Sequence, residues 1–310
     1  MKAVRLHTKG GAEQIVYEDA PRPEPGIGDA LIRVHATGIT PTELTWAETY
    51  QNCDGSVRLP TVPGHEVSGV VESVAAGVSD VSIGDEVYAL TSFCRNGSAA
   101  EFVAVRAADL APKPKTISHT QAAAFPLSAL TVWQAFFDHG HLAPGQRVLI
   151  HGAAGGIGTF AVQIARWSGA YVIGTASAEN RDFVIGLGAN EVIDYRQVPF
   201  EQAVHDVDVV LDTIGGETRE RSWQVLKADG TLVSLYGPIP EDEAVANGRR
   251  GVFFIVEPDR EQLGKIAALI DSGLIRPIIA ETFQLADARR AFERAASGGI
   301  RGKLVLQVAT

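Results

Sequence analysis

Residues 147–167 read Arg-Val-Leu-Ile-His-Gly-Ala-Ala-Gly-Gly-Ile-Gly-Thr-Phe-Ala-Val-Gln-Ile-Ala-Arg-Trp, and no other stretch limits what this chain can fold into as strongly. A β-rich apolar run enters a glycine-dense turn. Phe160, Ile164 and Trp167 then recur at helical spacing, up to a stop at Gly169. The pattern predicts a strand, a tight turn and the opening of a helix. Glycines at 155, 156 and 158 let backbone N–H groups approach a ligand, and the start of a helix favours negative charge. A pyrophosphate satisfies both. Measured against G-x-G-x-x-G, Ala153 stands where the first glycine belongs, so the context has to carry the reading. It does: a second strand is expected over 171–175, and Ser177 stands nineteen residues after Gly158, where a ribose-reading residue is expected. A dinucleotide site is predicted here.

The chain before this motif is β-rich, with short alternating runs over 3–6, 15–17, 30–37, 67–74, 86–90 and 100–105. Turn signals divide them, among them Gly10-Gly11, the prolines at 21, 23 and 25, and Gly84-Asp85. A partly open barrel or sandwich is expected. The segment 40–60 breaks the rhythm with Trp46, Tyr50 and Cys53 among polar residues, and reads as a helix or loop lining a site. After the glycine motif, strands over 148–150, 171–175, 191–193, 207–211, 232–235 and 252–255 alternate with helices near 157–167, 179–187, 200–204 and 217–226. That alternation predicts a parallel, doubly wound sheet. Two last helices, over 261–270 and 287–296, and a strand over 303–308 fall outside that count and return to the first domain. The expected division is 1–117 with 259–310 as one domain and 118–258 as the other.

A net charge of −10 supplies no basic face for nucleic acid, and no apolar run is long enough to span a bilayer. Residues 1–6 open on a strand pattern, so no leader is expected, and Cys53 and Cys94 read as free thiols in a reducing cytoplasm.

Pro63-Gly64-His65-Glu66, Gly84-Asp85-Glu86-Val87 and Ala100-Glu101-Phe102-Val103 resemble the first domain of medium-chain dehydrogenases/reductases. Leu130-Thr131-Val132-Trp133, the glycine turn, Asp212-Thr213-Ile214-Gly215-Gly216 and Gly302-Lys303-Leu304-Val305 are similar to the quinone-oxidoreductase branch of that family. The resemblance spans nearly the whole chain. It implies an α/β chain with a GroES-like β-rich barrel, a Rossmann domain of strand order 3-2-1-4-5-6, and a homodimer. The zinc members of the family place cysteine at the position of Thr40, histidine at that of His65 and cysteine near that of Ser128. One imidazole with two hydroxyls is a poor zinc site, so no metal is expected.

What the resemblance then implies is a zinc-independent, NADPH-dependent reductase of a small-molecule quinone or enone. A stand-alone enoyl or tailoring reductase of a biosynthetic pathway remains open, as does a non-catalytic NADPH-binding sensor or structural protein. Residues expected to hold NADP(H) are Thr131, Ala154, Gly155, Gly156, Ile157, Gly158, Ser177, Arg181, Tyr195, Ile214, Tyr236, Gly237, Phe254 and Lys303. NADP(H) is preferred over NAD(H) because Thr175-Ala176-Ser177 carries no acid, and Arg181 is close enough in sequence to pair with a 2′-phosphate. The run 251–256 is expected to form the dimer edge, with Phe254 near the nicotinamide. Thr40 is expected to bind the substrate oxygen and Tyr50 to donate the proton, with solvent as the alternative donor.

Overall fold

The computed structural model describes residues 1–308, which divide into two compact units: 1–127 with 257–308, and 128–256. Along the chain, β1 (Lys2–Leu6) and β2 (Ile15–Asp19) form an antiparallel ribbon. Next come β3 (Asp29–Ile39), β4 (Glu66–Val74), β5 (Glu86–Leu90), β6 (Phe102–Arg106) and β7 (Ala111–Pro112), then α1 (His119–Ala122) and α2 (Pro126–Trp133). The second unit follows as β8 (Arg147–Ile150), α3 (Gly158–Trp167), β9 (Tyr171–Ala176), α4 (Arg181–Leu187), β10 (Glu191–Asp194), α5 (Phe200–Ala203), β11 (Val207–Asp212), α6 (Gly216–Ser222), β12 (Leu226–Ser234), α7 (Glu241–Asn247) and β13 (Arg250–Phe253). The chain then re-enters the first unit with α8 (Arg260–Asp271), β14 (Ile279–Gln284), α9 (Ala288–Ala296) and β15 (Lys303–Gln307).

In the first unit β3 is the hub. Its eleven residues pair with β4, β6 and β15, all antiparallel, and its pairing with β4 shifts register at two places. Such irregularities bend a strand and let a sheet coil. The sheet runs β14-β15-β3-β4-β5-β7, with β6 on β3. Val34, Val67, Val71, Val87, Ala89, Val103 and Val105 fill one core. A second core packs β1, Tyr50, α9 and β15 through Val4, Leu6, Phe292 and Leu304. The division falls at 127/128, ten residues beyond the expected 117/118, because Ala123 and Ala124 pack with Ala36 and Val305 of the barrel.

The second unit is a six-stranded parallel sheet in the order β10-β9-β8-β11-β12-β13. In order of appearance that is 3-2-1-4-5-6, and the order reverses between β8 and β11, so the carboxyl ends of these two strands flank the place where such sheets bind ligands. Helix α7 and strand β14 have no counterpart in the sequence reading. Helix α7 opens on Glu241-Asp242-Glu243, with no apolar stripe to announce it, and β14 buries only Phe283.

Candidate active site

Strand β8 delivers the chain into the turn 151–157, and α3 leaves it. Gly158 has no room for a side chain: a Cβ there would stand 2.1 Å from the Gly152 carbonyl oxygen. Gly152 has a φ of +65°, a backbone that side-chain-bearing residues rarely adopt. Gly152 is not among the residues expected at the cofactor. The glycines that build the turn stand at 152, 155 and 158, three apart, and that spacing was the available signal. Gly155 N–H donates to Gly152 O and Ala153 N–H to Thr175 O, which ties the turn to β9. The amides of Gly156, Ile157 and Gly158 have no backbone acceptor among the described residues. They sit at the amino end of a ten-residue helix, where unpaired N–H groups and the helix dipole attract an anion.

The adjoining loops are held by one carboxylate. Asp212, fully buried at the end of β11, accepts from the amides of Ile214 and Gly215 and from the Ser234 hydroxyl. An acid closing an apolar strand was its sequence signal. Ile214, Tyr236 and Ile255 are exposed just past the carboxyl ends of β11, β12 and β13. Tyr236 lies over Gly215, whose missing side chain makes the room. Gly237 follows in the same loop, with nothing near the position of a Cβ. Phe254 lies tilted against His139, with ring centroids 4.3 Å apart and 37° between the planes. Thr131 is buried on α2, as is Ser128.

At the end of β9, Ser177 is buried, and its hydroxyl accepts from the Asn180 amide at 3.0 Å. Arg181 donates to the Val192 carbonyl at 2.9 Å, so one of its N–H groups is committed to the backbone of β10. A second guanidinium, Arg196, pairs with Glu179 at 3.5 Å and lies 5.7 Å from the centre of the Tyr195 ring. No carboxylate precedes Glu179 in this turn, and two arginines flank it.

In the first unit the segment after β3 folds into two short 3₁₀ turns, Glu43–Thr45 and Glu48–Tyr50. Thr40 is half-buried where the segment begins. Glu43 is 1% exposed, accepts from the Gly64 amide, and lies 3.4 Å from His65 Nε2. His65 is 2% exposed and faces Thr91 through Nδ1 at 3.3 Å. Trp46 stacks over it at 6.4 Å and Phe93 meets it edge-on at 4.9 Å. Burial, helped by the charge on Glu66, pushes the Glu43 carboxyl up to about 7. Burial, helped by Arg58, pushes His65 down to about 3. The imidazole is therefore neutral at physiological pH, and its Nε2 has no hydrogen-bond partner among the described residues. Nothing in the sequence marked Glu43 apart from the polar residues around it. No group of three or more His, Cys, Asp or Glu side chains among the described residues is arranged to hold a metal ion.

Three expectations need correction. Tyr50 is 2% exposed within the core, and its hydroxyl donates to the Leu44 carbonyl at 2.8 Å. That geometry anchors the loop and turns the phenol hydroxyl, expected to donate a proton, to a backbone carbonyl. Lys303, expected at the cofactor, is buried, and its Nζ donates to Glu66 inside the barrel. Cys53 and Cys94 are not free thiols. They form a disulfide with Cα atoms 4.9 Å apart.

Comparisons with known proteins agree with this architecture. Residues 26–115 match the alcohol dehydrogenase GroES-like domain, and residues 187–306 match the zinc-binding dehydrogenase family. The chain is 34% identical over 317 residues to a probable mitochondrial zinc-binding oxidoreductase of Arthroderma benhamiae, covering 96% of this chain and 94% of that protein. It is 31% identical to the quinone oxidoreductase of Mus musculus, covering 99% and 97%. The structure of Escherichia coli quinone oxidoreductase in complex with NADPH superposes with a TM-score of 0.90 at 27% identity, covering 99% of this chain and all of that one.

Proposed function

Because the chain belongs to the medium-chain dehydrogenase/reductase superfamily, in its quinone oxidoreductase-like branch, we propose that it reduces quinones or α,β-unsaturated carbonyls with NADPH and without zinc. The observation that carries the reading is the glycine turn, where Gly158 stands against the Gly152 carbonyl and three successive amides have no backbone acceptor among the described residues. The pyrophosphate belongs on those amides. The Ser177 hydroxyl, with Arg181 and Arg196, suits a 2′-phosphate better than a bare ribose, and Tyr195 suits the adenine end. Ile214, Tyr236, Gly237 and Phe254 offer the apolar surface that a nicotinamide needs, and Thr131 a hydroxyl. When bound, the reduced nicotinamide supplies a hydride. Thr40 donates a hydrogen bond to the substrate oxygen as negative charge develops there. With the Tyr50 hydroxyl turned to a backbone carbonyl, solvent water supplies the proton. A panel of quinones and enones, followed by loss of nicotinamide absorbance, tests the reading. Tight cofactor binding with no turnover of any of them would overturn it.

The working form we propose is a homodimer. Among the described residues, strand β13 pairs with β12 on one side and with no strand on the other, the edge that leads into Phe253 and Phe254. A second copy of β13 would cover that edge, and a monomer in solution at micromolar concentration would contradict it. No helix among the described residues is long and apolar enough to cross a membrane. A cytoplasmic location stays part of the reading, although the free-thiol argument for it falls with the disulfide.

A further inference from the structure

The disulfide links two segments that together cover His65. Cys53 sits in the exposed turn that follows the 3₁₀ segment carrying Glu43 and Trp46. Within that turn Asn52 N–H donates to Ser56 O at 2.8 Å and Gly55 N–H to Asn52 O at 2.9 Å. Cys94 directly follows Phe93, whose ring meets both His65 and Trp46 edge-on, at 4.9 and 5.6 Å. One covalent bond on the outside therefore holds together the two pieces of chain whose rings close over the imidazole. A second tie lies inside: Arg58 donates to Gln51 O, Glu48 O and Thr49 O on one segment and to Phe93 O, at 3.2 Å, on the other. The inner tie places the segments, and a single neutral acceptor joins it to Phe93.

We propose that Cys53–Cys94 is a redox-controlled clamp on the aromatic cover of His65, opened by a dithiol and closed again by a small disulfide. In opening, a dithiol's thiolate attacks the exposed Cys53 sulfur, and Cys94 departs as thiolate. The Ser92 hydroxyl, 3.4 Å from Cys94 Sγ, donates to that leaving sulfur. The second thiol of the reductant then releases Cys53. Two electrons and two protons pass to the chain, and the reductant leaves as a cyclic disulfide. Exchange with a low-molecular-weight disulfide reverses both steps, its two halves leaving as thiols. The freed segments keep the Arg58 contacts but lose the bond that fixes their separation, so Phe93 and Trp46 separate more readily. The consequence for turnover, a raised KM, rests on the reductase reading above; the clamp itself does not.

The test uses the full chain purified without reductant, before and after dithiothreitol. Alkylation with iodoacetamide, read by mass, is expected to add nothing before reduction and two groups after it. Amide exchange across 43–57 and 92–97 is expected to quicken about tenfold or more on reduction, with 158–167 unchanged. The variant Cys53→Ser/Cys94→Ser should match the reduced protein and ignore the reductant; if it does not fold, the reduced wild-type chain carries the comparison. Two thiols that react before reduction, or equal exchange in both states, would overturn the clamp. A KM for enone or quinone that does not move with reduction would overturn its role at the site. Exchange that responds, with no turnover in either state, would leave the clamp standing and remove the reductase reading.

Discussion

Lys303 and Glu66 lie 237 residues apart in sequence, and their side chains form an ion pair inside the barrel, 5% and 1% exposed. Glu66 also accepts from the Leu127 amide at 3.1 Å. Two charges taken out of water are tolerated there because each is the other's partner.

Removing only the cation should therefore be costly. Lys303→Met is expected to lower stability by about 3–5 kcal/mol, the usual result of leaving a buried carboxylate alone. Adding Glu66→Gln should recover much of the loss. Denaturant unfolding of the three variants checks this, and a Lys303→Met protein as stable as wild type would refute it. Binding of NADPH to the folded fraction should be unchanged.

Glu43 and His65 give stability a pH dependence with two opposing parts. The Glu43 carboxyl is raised in the fold from 4.5 to about 7, so its proton stabilises the native state below 4.5 and that contribution is lost as pH rises to 7. His65 is lowered from 6.5 to about 3, so its part is present above 6.5 and lost as pH falls toward 3. Between 4.5 and 6.5 the two slopes cancel, and a plateau is expected. Glu43→Gln keeps an acceptor for the Gly64 amide and gives His65 Nε2 a donor. It removes the Glu43 part alone, so its advantage over wild type should grow from pH 4.5 to 7, reaching on the order of 3 kcal/mol. Thermal melts across that range read it; parallel profiles for both proteins would contradict it.

Tyr50→Phe keeps the packing and removes the hydrogen bond to Leu44 O. A stability loss of about 1 kcal/mol is expected, with kcat unchanged. A fall in kcat of about 10²-fold or more would restore Tyr50 as the proton donor.

Ser177→Asp puts a carboxylate where a 2′-phosphate would sit. The ratio of kcat/KM for NADPH to that for NADH should fall by roughly 10²-fold, from loss of charge-assisted bonds and added repulsion. Arg196→Ala should lower it by about tenfold or more. Comparable kcat/KM with both cofactors in the wild-type chain would remove the preference itself.

The Rossmann half was legible because its signals are local. A β-branched run, a glycine turn and an amphipathic helix follow one another within 147–167, and the strand spacing repeats after them. The first domain was legible as strands but not as a site. Glu43 and His65 are 22 residues apart, and neither their contact nor the rings of Trp46 and Phe93 around it leaves a periodic trace. Tyr50 misled because an aromatic in a polar loop looks the same whether its hydroxyl meets substrate or a backbone carbonyl. The cysteines misled for a similar reason: two thiols cannot be a framework, yet the fold brings the loops that carry positions 53 and 94 side by side.

Strand β15 lies inside a sheet, between β14 and β3, and it comes from the last residues of the chain. A nascent polypeptide emerges amino end first, so residues 128–256 are complete while the barrel still lacks an interior strand. Until residues 303–307 are synthesised, residues 36–39 of β3 have one flank unpaired and Glu66 has no counter-charge. The half that emerges first is thus the half that matures last, and a ribosome stalled near residue 300 would hold a finished nucleotide-binding fold beside an unfinished, aggregation-prone sheet.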